Sequence, residues 1–205
     1  MLADVSRMVS FVQPSELILH RSWRGFTLIE LLTVIALVAI LTTLAVPGMQ
    51  TFLLRNRVAS LSNEFTSALQ QTRALAISKN SCVSLCASTT VNQANSGVCA
   101  NTAADDFQAG WLIFQNPACN AAQTVPTDAS GVVLVSRTGE ANGYSIKPSV
   151  AALSIVMFDP RGFANLAANG NFQIATPNAD ADYRRTVCLD AAGRATVRKY
   201  TATCL

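Results

Sequence analysis

Three hydrophobic periods succeed one another along the chain. From Phe26 to Val46 the sequence FTLIELLTVIALVAILTTLAV runs apolar for twenty-one residues, with Glu30 as its single charge. A helix rising ~1.5 Å per residue would reach ~31 Å over that run, close to the ~30 Å hydrocarbon core of a bilayer. A secretory signal peptide has a shorter apolar core and ends at small residues before its cleavage site. Here that ending is missing and the apolar pattern continues beyond Pro47, so a membrane helix over 26–46 is predicted. In the next stretch Leu54, Val58, Leu61, Phe65, Ala68, Thr72 and Ala76 recur at helical spacing, with Arg55, Arg57, Asn63, Glu64, Gln70 and Arg73 mostly on other faces. This predicts an amphipathic continuation over 47–80, with a kink or local melting at Pro47-Gly48.

After Asn80 the pattern changes to short β-branched or aromatic runs: Cys82 to Cys86, Trp111 to Phe114, Val132 to Val135, Ile155 to Phe158, Phe172 to Ala175, Thr186 to Leu189, and Arg194 to Arg198. Asn116-Pro117, Thr138-Gly139, Asn142-Gly143 and Asp159-Pro160 read as turns between them. A helix followed by successive short strands argues for an α+β fold, the helix packed on antiparallel sheet in a β-rich head over 81–205. The stretches from Ser88 to Asp106 and Cys119 to Asp128 read as loops.

Composition sharpens this picture. Only 13% of residues are charged, against ~25% in an average soluble domain. Residues 26–182 hold seven basic and nine acidic side chains, whereas residues 183–205 hold five basic and one acidic. Arg184, Arg185, Arg194, Arg198 and Lys199 thus form a basic C-terminal end suited to an anionic partner, or to a solvated strand face. Cys82, Cys86, Cys99, Cys119, Cys188 and Cys204 all follow the apolar run. An even set on one side of a membrane segment predicts disulfides in an oxidising compartment; zinc is the weaker alternative, as only Cys82 and Cys86 are suitably spaced. Cys188–Cys204 is the favoured pair, since it would pin the C-terminus after the last strand. The single histidine, His20, precedes the apolar run. A chain cut after it has none, which argues against triad or His-metal chemistry. Neither a catalytic site, a metal nor a cofactor is expected.

Arg21 and Arg24 flank the apolar run on its N-terminal side, and no further basic residue occurs until Arg55. The positive-inside rule then puts the N-terminus in the cytoplasm and the cysteines outside it. A carboxylate inside a membrane helix costs a few kcal/mol on insertion scales, so Glu30 calls for a functional partner. A cut before Phe26 would place a new α-amine about one helical turn from Glu30, in the same molecule or a neighbour.

Arg24-Gly25-Phe26-Thr27-Leu28-Ile29-Glu30-Leu31-Leu32 resembles the signature of type IV pilins and pseudopilins. The resemblance implies a leader, 1–25, removed after Gly25 by a prepilin peptidase and N-methylation of Phe26. It also implies that Glu30 pairs with a neighbouring subunit's amine during assembly. Met8 as a start would shorten the leader without changing the mature chain. Farther on, Gly110-Trp111-Leu112-Ile113-Phe114, Phe158-Asp159-Pro160-Arg161-Gly162 and Gly193-Arg194 occur in the order seen in the GspH/FimT group of minor pilins and pseudopilins. That likeness implies a single-pass inner-membrane protein with its head in the periplasm, incorporated among other pilins through the N-terminal helix. A minor pilin of a type IV pilus is the leading expectation. A minor pseudopilin of a type II secretion system, the H component, is the alternative; a membrane-anchored periplasmic enzyme is a disfavoured third. Some FimT-like relatives bind DNA through Gly-Arg-x-Arg. Here Gly193-Arg194-Ala195-Thr196 departs from that pattern at Thr196. If Gly193 opens a strand, Arg194 and Arg198 would share a face, and Arg184 and Arg185 could widen a DNA-binding patch.

Overall fold

In the computed structural model of the chain, the residues described are 25–91, 97–99, 106–126, 132–140, 143–149, 153–166, 169–177, 183–200 and 204. Helix α1 spans Leu28–Lys79. It is followed by β1 (Val83–Ala87), a 3₁₀ turn (Phe107–Ala109), β2 (Gly110–Gln115), β3 (Val133–Thr138), β4 (Ser145–Pro148), β5 (Ile155–Phe158), β6 (Gly170–Ala175), β7 (Arg185–Leu189) and β8 (Ala195–Lys199). The chain divides into two units between Ala45 and Val46.

In the first unit every residue from 25 to 45 is exposed. The threonine hydroxyls within this apolar stretch are satisfied by the helix itself. The hydroxyls of Thr33, Thr42 and Thr43 donate to the carbonyls of Glu30, Ala39 and Ile40 at 2.9, 2.9 and 2.7 Å. A hydroxyl paired in this way can enter hydrocarbon without an unsatisfied donor. The helix also continues through Pro47-Gly48, so the local melting that was one of the two expectations there does not occur. Proline withdraws one N–H, yet the turns on either side hold the helical path.

In the second unit the buried stripe of α1 is Val58, Leu61, Ser62, Phe65, Ala68, Leu69, Thr72 and Ala76, the amphipathic face read from the sequence with Ser62 and Leu69 added and Leu54 only half-buried. It packs against two antiparallel four-stranded sheets, ordered β3-β2-β1-β5 and β4-β6-β7-β8. Phe65 is the meeting point. Its ring lies 5.0 Å from Phe107, 6.0 Å from Trp111 and 5.0 Å from Phe172, so one helical side chain touches residues of both sheets and the 3₁₀ turn. Glu64, one residue away, receives Nε and Nη2 of Arg137 on β3 at 2.9 and 3.2 Å. The same guanidinium stands 4.6 Å from the Trp111 ring centroid. Arg57 pairs with Glu140 in the same way across helix and loop.

The cysteines form Cys82–Cys119, Cys86–Cys99 and Cys188–Cys204, with none free. The first two tie the ends of β1 to the stretches read as loops. The third joins the pair singled out in the sequence. Seven strands lie within a residue or three of their expected ranges, but β4 was unexpected. Ser145-Ile146-Lys147-Pro148 has one buried apolar residue, Ile146, and ends in proline. Such a segment survives as a strand only at a sheet edge, where an N–H can be spared, and β4 is an edge strand.

Candidate functional site

The N-terminal site begins with helix initiation. Thr27 stands directly before α1, and its Oγ1 accepts the backbone N–H of Glu30 at 3.3 Å, while its carbonyl accepts the N–H of Leu31 at 3.1 Å. Thr27-Leu28-Ile29-Glu30 is thus a capping-box sequence with Glu30 at the third helical position. A carboxylate there also faces the positive end of the helix macrodipole. Local structure therefore gives Glu30 a stabilising role in the helix start, alongside any pairing with a neighbour. The signal for that role is Thr-x-x-Glu before an apolar run, a local pattern that hydrophobic periodicity does not register. Gly25 lies outside the helix, with open space for at least 4 Å around the position a side chain would take, and Phe26 is 81% exposed.

The two motifs of the head, Asp159-Pro160-Arg161-Gly162 and Asp190-Ala191-Ala192-Gly193-Arg194, are built alike and meet in space. In the first, Asp159 Oδ1 accepts the N–H groups of Arg161 and Phe163 at 2.8 and 2.9 Å. In the second, Asp190 Oδ1 accepts the N–H of Arg194 at 2.8 Å, and Oδ2 accepts Arg194 Nε at 2.7 Å. Desolvation pushes both carboxyls up, but these backbone and guanidinium contacts outweigh it and leave both below the usual carboxylate value. Gly162 and Gly193 adopt φ of +85° and +76°, the left-handed region that glycine enters without strain. Arg73 of α1 bridges them: its Nε donates to Gly162 O at 3.0 Å, and the same side chain lies against the α-carbon of Gly193. Ala164 N–H donates to Ala191 O at 3.0 Å. Two glycine turns from different sheets are therefore stitched together over one arginine. No periodicity could have singled out Arg73, because its partner lies 89 positions away.

The basic C-terminal residues are sorted differently from expectation. Strand β8 begins at Ala195, not at Gly193, because Gly193-Arg194 belongs to the Asp190 turn. Arg194, Thr196 and Arg198 nevertheless line one shallow cavity of about 230 Å³ beside Cys188 and Cys204. Arg185 does not widen that face. It pairs in register with Lys199, and Thr186 with Arg198, so period-two alternation puts Arg185 and Lys199 on the opposite side of the sheet. Arg184 stacks on the Tyr200 ring at 5.4 Å.

Among the described residues no cluster of His, Cys, Asp and Glu could hold a metal ion. A family profile described as type II transport protein GspH matches residues 61–193, and one for the prokaryotic N-terminal methylation motif matches residues 24–46. Two crystal structures of the type IV minor pilin FimU of Pseudomonas aeruginosa PAO1 share the fold. They are 19% identical to this chain, with TM-scores of 0.50 and 0.52, covering 68% and 72% of it and 91% of the FimU chain in each case. No curated protein sequence matches. The Asp159 turn and the Asp190 turn as far as Gly193 lie within the GspH match, which stops short of β8, the capped apolar helix lies within the methylation match, and the chain belongs to the GspH family of type IV pilin-like proteins.

Proposed function

We propose that this protein is a minor pilin of a type IV pilus. It is cut between Gly25 and Phe26 by a prepilin peptidase and methylated on Phe26. Its apolar helix, 26–46, holds it in the inner membrane with the head in the periplasm until it joins the filament, where Glu30 receives a neighbour's amine. The observation that carries this reading is the capped apolar helix, exposed throughout 26–46 and lying inside the match to the methylation motif. Lipid or the helices of other pilins are the two environments suited to such a surface. Mass spectrometry of protein from its native membrane should give residues 26–205 plus one methyl group. A retained leader would overturn the assignment.

The second reading, a minor pseudopilin, is favoured by the description of the matching family as a type II transport protein. Deletion of the gene separates the two: lost surface pili support the first, and secreted enzymes held back in the periplasm support the second. Nucleic acid is a further proposed partner, on the face of the second sheet that points away from the core. There a cross-strand row runs Lys147, Gln173, Thr186, Arg198. Its two exposed cations stand ~14 Å apart at ~4.8 Å per strand. Arg194 contributes less, because Asp190 already holds its guanidinium.

A further inference from the structure

A second basic surface, on the other side of the same sheet, is assembled from three separated segments. Arg55 of α1 stands 5.3 Å from the ring centroid of Tyr183. Two residues on, Arg185 lies opposite Lys199 in the β7–β8 register, whereas Arg184 and Tyr200, which contact each other, belong by the same alternation to the Arg198 side. Arg55 and Lys199 are exposed and Arg185 is half-buried. Among the described residues none of these three forms a salt bridge, whereas Arg57, Arg137, Arg161 and Arg194 each do. Asp180 and Asp182 precede Tyr183 in the sequence and lie outside the described residues. Counting both against Arg55, Arg185 and Lys199 still leaves one net positive charge.

The chain itself limits how far this surface can be from a bilayer. No charged residue lies between Glu30 and Arg55. The twenty-five helical steps from Glu30 to Arg55 rise at most about 38 Å, against ~30 Å of hydrocarbon and ~40–45 Å with headgroups. Met49, Phe52 and Leu53 are all exposed, so the side chains leading up to Arg55 are themselves suited to an interface. Arginine and lysine next to tyrosine, at the level where an apolar helix leaves the membrane, is the chemistry that headgroups select. Tyrosine rings lie at the interface and cations meet phosphate.

We propose that Arg55, Tyr183, Arg185 and Lys199 form a docking surface for anionic phospholipid headgroups, which holds the head against the membrane before the subunit is taken into a filament. The proposal rests on the membrane-anchored reading. Each cation near an anionic leaflet contributes about a fivefold factor, so one net charge biases docked over undocked heads on the order of fivefold.

The test uses the full mature chain in lipid nanodiscs of phosphatidylcholine alone or with added phosphatidylglycerol, followed by hydrogen–deuterium exchange. Residues 183–187 and 197–200 should exchange several-fold more slowly in the anionic discs, with residues 159–165 unaffected. High salt, or combined Arg55→Gln, Arg185→Gln and Lys199→Gln, should abolish the difference. Asp180→Asn with Asp182→Asn should enlarge it. Strong protection of 31–45 with no dependence on lipid charge would refute the docking surface and leave the anchor standing. Unprotected 31–45 would overturn both. Slowing of the same segments by duplex DNA in neutral discs, without a response to anionic lipid, would make this a nucleic-acid surface and overturn the proposal as well.

Discussion

Gly193→Ala is the sharpest probe of the stitched turns. Its φ of +76° would force an L-residue into the left-handed region at about 1–2 kcal/mol. The new methyl would also run into the carbonyl oxygen of Gly162 and approach Arg73 Nε and Cδ at 3.1 and 3.2 Å. A backbone oxygen held by Arg73 cannot swing away, so overpacking adds about 1–3 kcal/mol. The unfolded chain, stiffened by alanine, returns about 0.4–1 kcal/mol. The expected net loss is roughly 1–4.5 kcal/mol. Gly162→Ala is the matched control. It has the same kind of φ, +85°, but its methyl would meet the Ile77 and Arg73 side chains, which can shift, so a loss of only about 1 kcal/mol is expected. Trp111 is the sole tryptophan after residue 25 and is buried beside Phe65. Its fluorescence therefore reports unfolding of the head. Denaturant titration of the mature chain in mild detergent, disulfides intact, gives the comparison. If Gly193→Ala cost no more than Gly162→Ala, the contact between the turns would not be a structural constraint, and Gly193-Arg194 would be open to a purely ligand-binding role.

Glu30→Ala should leave membrane insertion intact or improved while lowering incorporation into sheared pili; the lost helix-dipole contribution, ~0.3–1 kcal/mol, is too small to unfold the helix. Equal incorporation of mutant and wild type would rule out the pairing role. Asp159 and Asp190 are held below the ordinary aspartate value in the fold, so their contribution to stability is fully present above the unfolded value of ~3.9. It is lost as pH falls through the still lower folded values. Acid titration should therefore show a decline below about pH 4 that becomes shallower in the Asp159→Asn, Asp190→Asn double variant; an unchanged acid limb would count against the turns. On the opposite sheet face, duplex DNA should bind the mature chain weakly, near 10⁻⁴–10⁻⁶ M, with a salt slope of ~0.9 per neutralised phosphate. Arg198→Ala should flatten that slope more than Arg194→Ala, and no binding at low salt would leave this face as solvated sheet.

Local and periodic information was enough for the helix, its apolar and amphipathic halves, and the α+β class. Burial of a helix face every three to four residues is written directly into Val58, Leu61, Phe65 and Ala68. Seven strands were legible because their β-branched and aromatic runs carry their own signal. β4 was not, since one buried isoleucine beside a proline becomes a strand only through its pairing with β6. Sequence spacing set Arg194, Thr196 and Arg198 side by side. Only tertiary structure decided that Asp190 takes Arg194, that Arg185 and Lys199 face the other way, and that Tyr183 meets Arg55. The division has one physical cause. Periodicity records how a segment meets an apolar core, whereas a turn's ion pair, a turn-to-turn contact or a strand register depends on specific partners, from 4 residues away for Asp190 and Arg194 to 89 for Arg73 and Gly162, and those are chosen when the chain folds.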